Sequence, residues 1–181
     1  MKFINRTFKL KMTKQFNNSE KNNQLTDPNG YDVKNMMFSS AVAGAVKDTP
    51  ITYKRINITT LNKDKSVGDL ILGTTRLFSF GVSININAET KKPSGYTLPL
   101  CLWNKDGASK EEKAWTTTFT KIADHCKAYL LSNKDNDDLG LYDLEESSLK
   151  SFNPLYWKKD KGRIVEGTGP TLYVKLIESQ L

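Results

Sequence analysis

The chain has 181 residues, a formal net charge of +7 and a sequence pI of about 9.3. This length suffices for one domain with a hydrophobic core, and the basic charge favours a polyanionic partner, either nucleic acid or an anionic membrane surface. No stretch approaches the roughly 18 consecutive apolar residues of a membrane helix, so we predict no membrane span.

The first 30 residues are expected to form an irregular, flexible, basic leader, because Asn, Lys and Gln dominate and no apolar periodicity appears. Residues 31–181 are then a single domain. The leader alternates basic and apolar residues, which fits a membrane-surface arm, a short edge strand or a segment that pairs with a neighbouring subunit. Its basic residues are Lys2, Arg6, Lys9, Lys11 and Lys14.

The middle of the chain carries β patterns. Residues 35–46 are small and apolar, and both a short helix and a covering strand fit them. Residues 53–60 alternate with period two and predict a strand. Residues 70–87 predict a long strand that bends at two glycines, and residues 96–104 predict another strand, in which a proline favours an edge or a bend.

One helix is predicted with well-defined ends. Ser109 and Glu112 form the S-x-x-E pattern of a capping box, and an apolar stripe follows at helical spacing, so the helix should span about 110–132. A second short helix or turn is expected at 141–152. RIVEG and TLYVKLIES are two further strand candidates around the turn at 167–170.

The order of these elements predicts a mainly β fold with minor α content. Strands, one helix and more strands follow one another without β-α-β-α alternation, which argues against a doubly wound parallel sheet. A five-stranded, partly open, OB-like Greek-key barrel with an inserted helix fits this order. Another α+β fold fits the pattern nearly as well.

Catalytic and metal-binding patterns are missing from the sequence. His125 is the only histidine, and Cys101 and Cys126 form no CxxC pair. The DNDD run at 135–138 lacks the glycine and the glutamate of a calcium loop, and no phosphate-binding loop occurs. We therefore predict no enzyme, no metal and no cofactor, and we interpret both cysteines as reduced core residues of an intracellular protein.

Aromatic and basic residues are interleaved on the predicted strands, the combination that holds single-stranded nucleic acid by base stacking and phosphate contacts. Phe78 and Phe80 have both a core and a stacking interpretation. In PLYWKKDKGR, residues 154–163, the aromatics lie beside loop and charge signals, which favours a surface. The candidate nucleic-acid-binding residues are Lys54, Arg55, Arg76, Phe80, Trp103, Tyr156, Trp157, Lys158, Lys159, Lys161 and Arg163.

The runs YKRINI, GDLILGTTRLFSFGV, GYTLPLCLW, SKEEKAW, NPLYWKKDKG and GPTLYVKLI, within about residues 50–178, resemble the single-stranded DNA-binding proteins of large nucleocytoplasmic DNA viruses. The resemblance implies an OB-fold core and a role in viral DNA replication, recombination or repair. It also implies a location in the host cytoplasm, at the viral replication site, or in the nucleus. It transfers no residue motif.

We therefore expect a protein that binds single-stranded DNA without strong sequence preference, with possible self-association through the leader. Three alternatives stay open. The first is an RNA-binding protein of the same fold. The second is a structural or assembly protein whose basic face binds an acidic protein, and the third is a peripheral membrane protein that uses the leader.

Overall fold

The protein is mainly β, with one α-helix and several separate sheets. A computed structural model describes residues 21–46, 49–103 and 108–176. The helix α1 spans Lys110–Ser132, and two short 3-10 helices span Val33–Asn35 and Glu146–Ser151. The strands are β1 (Leu25–Thr26), β2 (Met36–Phe38), β3 (Val42–Ala45), β4 (Thr52–Arg55), β5 (Ile58–Leu61), β6 (Val67–Asp69), β7 (Ile71–Leu72), β8 (Phe78–Ser79), β9 (Ser83–Ile86), β10 (Pro93–Cys101), β11 (Leu155–Tyr156), β12 (Lys159–Asp160), β13 (Arg163–Ile164) and β14 (Thr171–Leu176).

The largest sheet, called the central sheet below, is built on the long strand β10. β10 pairs antiparallel with β14 on one side and with β8 and then β9 on the other, and β14 also pairs with β11. Pro99 lies in the gap between the residues of β10 that pair with β9 and those that pair with β8. A gap in the ladder suits a residue without an N–H, which explains how a proline occupies an interior strand.

The predicted helix and its capping box are confirmed. The backbone N–H of Glu112 donates to Ser109 Oγ, and the Glu112 carboxylate accepts from the backbone N–H of Ser109. Near its start, Trp115 is buried with Leu102 and Leu155 in the hydrophobic core. Helix α1 therefore covers one end of the central sheet.

The last turns of α1 contact a second sheet. The rings of Phe38 on β2 and Tyr129 on α1 stack with centroids 4.0 Å apart. β2 belongs to a three-stranded sheet with β5 and β6, while β3 and β4 form a separate hairpin and β1 pairs in parallel with β7. The helix thus joins the central sheet to the β2-β5-β6 sheet.

Residues 21–30, which the sequence assigns to the leader, make hydrogen bonds and an ion pair with the rest of the domain. The backbone N–H of Asn22 donates to the carbonyl of Val67, and Lys21 pairs with Asp69 at 2.8 Å. A Cβ on Gly68 would lie 2.2 Å from the carbonyl oxygen of Asn22, so only glycine allows this approach. The other leader residues, 1–20, lie outside the described residues.

Several predicted strands are shorter than expected. The single strand predicted at 53–60 is two strands, β4 and β5, in different sheets. The long bent strand predicted at 70–87 is three short strands, β7, β8 and β9. Gly73 and Gly81, the two glycines at which the long strand was predicted to bend, lie between these short strands. The break between β4 and β5 has no such signal, because a period-two pattern reports alternation but not a change of pairing partner.

The predicted OB-like barrel is not confirmed. The strands of the described residues form separate sheets and no closed barrel. The coarser prediction of a mainly β protein with one substantial helix is confirmed. In the part of the chain that the structure describes, no helix has the length and apolar content needed to cross a bilayer.

Candidate nucleic-acid interface

The register of the central sheet separates its side chains into two faces. Residues directly opposite each other in antiparallel strands point to the same side, and successive residues alternate. Leu155 of β11, Leu172 of β14 and Leu100 of β10 form one such row. Because Leu155 is buried in the core and Leu172 packs against it, this side is the inner face.

The opposite side, the outer face, carries exposed aromatic rings. Phe78, Cys101, Thr171 and Tyr156 are paired in a row across β8, β10, β14 and β11. Tyr173 lies two residues beyond Thr171 on β14 and therefore shares this face.

Four aromatic side chains remain largely open in this region. Phe78 is 63% exposed, Phe80 77%, Tyr156 59% and Tyr173 55%. In a folded domain, apolar rings of this size are usually covered, so a set of exposed rings on a sheet is a candidate binding surface. We call these four residues the aromatic platform.

The platform consists of two ring pairs. The Tyr156 and Tyr173 rings meet edge to face with centroids 6.1 Å apart, and Phe78 and Phe80 do so at 5.2 Å. Three strand spacings separate β8 from β11, roughly 14 Å at the usual distance between strands. Phe78, Tyr156 and Tyr173 share the outer face and Phe80 contacts Phe78, so the two pairs provide two contact points for planar ligands.

A basic hairpin adjoins the platform. The chain leaves β11 directly after Tyr156, forms the β12–β13 hairpin and returns to β14 at Thr171, the cross-strand partner of Tyr156. Its two turn residues, Lys161 and Gly162, both have positive φ, as a type I′ hairpin turn requires. The hairpin and its approach carry Lys158, Lys159, Lys161 and Arg163, all exposed.

These basic side chains are not neutralised by neighbours. Among the described residues there are two ion pairs, Lys21–Asp69 and Lys127–Asp124, and neither involves the hairpin. Asp160 and Glu166 lie in the same segment, but the net charge of the hairpin remains positive. The chain therefore presents free cations beside exposed rings.

The two candidate tryptophans occupy a different environment. Trp103 and Trp157 contact each other edge to face with centroids 5.5 Å apart, and both are half-buried. Trp103 also packs against the hydrophobic core. They join the end of β10 to the end of β11, and their role in stacking stays a prediction.

The remaining candidates lie elsewhere. Lys54 and Arg55 are on β4, in the separate β3–β4 hairpin, and Lys54 Nζ lies 3.5 Å from the carbonyl oxygen of Asp137 in the loop after α1. Arg76 is exposed and precedes Phe78 by two residues. Of these three, only Arg76 is adjacent to a platform strand.

Sequence reasoning missed Tyr173 and Lys175, and it left Phe78 undecided. The signal for the first two was available in TLYVKL, where Leu172, Val174 and Leu176 alternate with Tyr173 and Lys175. In the structure Tyr173 and Lys175 are exposed, and the alternating residues are half-buried. The facing of Phe78 had no local signal, because it depends on which side the core occupies.

The described residues also show where the metal-ligating and thiol side chains lie. No cluster of three or more His, Cys, Asp or Glu side chains suits a metal ion within these ranges. Burial raises the pKa of the Cys126 thiol, which favours the protonated form and makes it a poor nucleophile. Cys101 lies on the outer face between Phe78 and Thr171.

A family model matches most of the chain. Residues 30–181 match the model of a family described as a protein of unknown function (DUF2738). No curated protein and no solved structure matches the chain.

Proposed function

Since this chain belongs to the DUF2738 family, whose function is unknown, we propose a function from its own geometry: it binds single-stranded DNA without strong sequence preference. One observation carries the proposal. Three exposed aromatic side chains lie on the outer face of the central sheet, Phe80 contacts one of them, and a hairpin with four exposed basic residues follows directly after Tyr156 in the chain. The binding requires no chemical step, so the protein acts as a binding module and not as an enzyme.

Base stacking supplies the first part of the affinity. Every base has a π-face, so stacking on an aromatic side chain tolerates any sequence and contributes about 1–3 kcal/mol per base. Open sheets of other nucleic-acid-binding domains use exposed aromatics to stack two or three bases. The two ring pairs of the platform, Tyr156–Tyr173 and Phe78–Phe80, match this use.

Phosphate contacts supply the second part. The hairpin that follows Tyr156 carries Lys158, Lys159, Lys161 and Arg163. In this proposal they contact the phosphates of a strand whose bases stack on the rings. Each neutralised phosphate releases counterions, which gives a slope of about −0.7 in log affinity against log salt for single strands. Four such contacts predict a slope of roughly −3.

The same geometry favours single strands over duplex. In a duplex the faces of the bases are covered by neighbouring base pairs, so they do not reach a flat protein surface without unstacking. Rings on an open sheet therefore gain little from duplex DNA beyond its phosphates. This difference distinguishes the proposal from general attraction to polyanions.

The resemblance to single-stranded DNA-binding proteins of large nucleocytoplasmic DNA viruses supports DNA as the ligand. Under this proposal the chain protects single strands during viral replication, recombination or repair, in the host cytoplasm or nucleus. An OB-like architecture belongs to the same proposal. The central sheet has five strands, the number found in an OB barrel, and one of its faces is open.

Fluorescence anisotropy tests the proposal, with labelled oligo-dT, oligo-U and a matched DNA duplex over a salt series. We expect oligo-dT to bind more tightly than duplex, with a salt slope near −3. Tighter binding of oligo-U would replace DNA by RNA as the ligand. Equal binding of duplex and oligo-dT, or no binding at low salt, would refute the proposal and favour an acidic protein partner for the basic hairpin.

A further inference from the structure

Phe78 and Tyr156 lie at opposite edges of the outer face, with two small side chains between them. Phe78 is on the edge strand β8 and Tyr156 is on the edge strand β11, in one cross-strand row. The residues between them in this row are Cys101 on β10 and Thr171 on β14. The row therefore carries a ring at each end and is low in the middle, so a ligand that rests on both rings passes over Cys101 and Thr171.

Exposed cations flank this row at both ends. Arg76 precedes Phe78 by two residues, and Lys158 follows Tyr156 by two residues. Neither side chain forms an ion pair with another residue that the structure describes. The row thus offers phosphate contacts on either side of the positions where bases would stack.

The rest of the outer face has a different character. Toward the loop that joins β9 to β10, its side chains are small or polar and include Ser83, Asn85, Thr97 and Lys175. These residues offer no ring on which a base could stack. A strand that ran along β10 would pass between the two ring pairs of the platform or contact only one of them.

We propose that the bound single strand crosses the central sheet from β8 over β10 and β14 to β11, with Cys101 and Thr171 as the floor beneath it. This inference rests on the proposed function and specifies the path of its ligand. β8 and β11 are three strand spacings apart, roughly 14 Å. A stacked strand advances about 3.4 Å per nucleotide and an extended one about twice as far, so about three to five nucleotides bridge the two ring pairs. The ligand is therefore a single-stranded stretch of a few nucleotides, and a long tract is not required.

The anisotropy of a labelled oligo-dT of about eight nucleotides tests this path with two matched aspartate variants. Thr171→Asp places a carboxylate on the floor, beneath a crossing strand. Asn85→Asp places one on the same face, opposite Gly95 and six residues along β10 from Cys101, or about 20 Å away. Because the Debye length is about 8 Å at physiological salt, we expect about a tenfold or larger increase in Kd for Thr171→Asp and about a threefold or smaller one for Asn85→Asp.

A second matched pair tests the β8 end of the path. Arg76→Gln removes a cation beside Phe78 and should raise the Kd about fivefold, because one phosphate contact is lost. Arg55→Gln is the control, since Arg55 is also exposed but lies on β4 in the separate β3–β4 hairpin. This control should bind oligo-dT like the wild type. The arginine pair also decides the question if circular dichroism shows that Thr171→Asp does not fold.

Three results would overturn the inference while the proposed function stands. The first is equal weakening by Asn85→Asp and Thr171→Asp, which would indicate a strand that runs along β10. The second is a Kd for folded Thr171→Asp that equals the wild-type value, and the third is equal binding by Arg76→Gln and Arg55→Gln. If the wild type does not bind the oligonucleotide even at low salt, the proposed function itself is refuted, and this path is refuted with it.

Discussion

Truncation of Tyr156 to alanine tests the aromatic platform at its most informative position. The side chain is 59% exposed, so Tyr156→Ala removes less than half of the burial of an aromatic residue, about 1 kcal/mol of folding stability. If a base stacks on this ring, the same change removes about 1–3 kcal/mol of binding free energy. That loss corresponds to a roughly 5- to 150-fold increase in Kd.

The measurement is the anisotropy of labelled oligo-dT, with unfolding in urea recorded for the same variants. Tyr173→Ala should behave like Tyr156→Ala, because the two rings are in contact. Tyr142→Ala is the matched control, since Tyr142 is 54% exposed and lies in the loop after α1. If both platform variants bind oligo-dT as tightly as the Tyr142→Ala control, the stacking argument is wrong.

Four further predictions concern the fold. Trp157→Ala should lower the Tm, by removing an aromatic contact of about 0.5–1.5 kcal/mol; an unchanged Tm would contradict this. Gly68→Ala should strongly lower the free energy of unfolding measured in urea, because the alanine Cβ would clash with the carbonyl of Asn22. Wild-type stability would show that residues 21–23 do not pack against Gly68. The buried hydroxyl of Thr116 has no hydrogen-bond partner among the described residues, so Thr116→Val should raise the Tm by about 2–4 °C. A lower Tm would refute this prediction. Hydrogen bonds, chiefly from Ser66, hold the pKa of Asp64 below its usual 3.8. The free energy of unfolding should therefore fall as the pH drops below 3.8, and it should fall less in Asp64→Asn. Equal acid sensitivity of the two proteins in urea unfolding would exclude a contribution from Asp64.

The elements with strong local signals could be predicted from sequence. Helix α1 has a capping box at Ser109 and a stripe of apolar residues, and both signals lie within one segment. The surface location of the basic hairpin followed from turn residues such as Gly162, which adopts the positive φ that the turn requires. Such local chemistry determines local structure with little help from the rest of the chain.

The composition of the platform could not be predicted in the same way. Whether Phe78 points inward or outward depends on the pairing of β8 with β10 and on the side that α1 covers, and both are long-range facts. The exposure of Tyr173 could be predicted from alternation. That it lies beside Tyr156 could not, because this depends on the pairing of β11 with β14. Trp103 and Trp157 stood out by residue type, yet the structure places them in contact with each other at the edge of the core.

Photocrosslinking tests the central claim most directly. An oligonucleotide that contains a photoreactive pyrimidine forms covalent bonds to rings in stacking contact, and mass spectrometry identifies the crosslinked residues. The account predicts crosslinks on Phe78, Phe80, Tyr156 and Tyr173, and their loss when unlabelled oligo-dT competes. Crosslinks confined to other regions, such as the β3–β4 hairpin or helix α1, would contradict it.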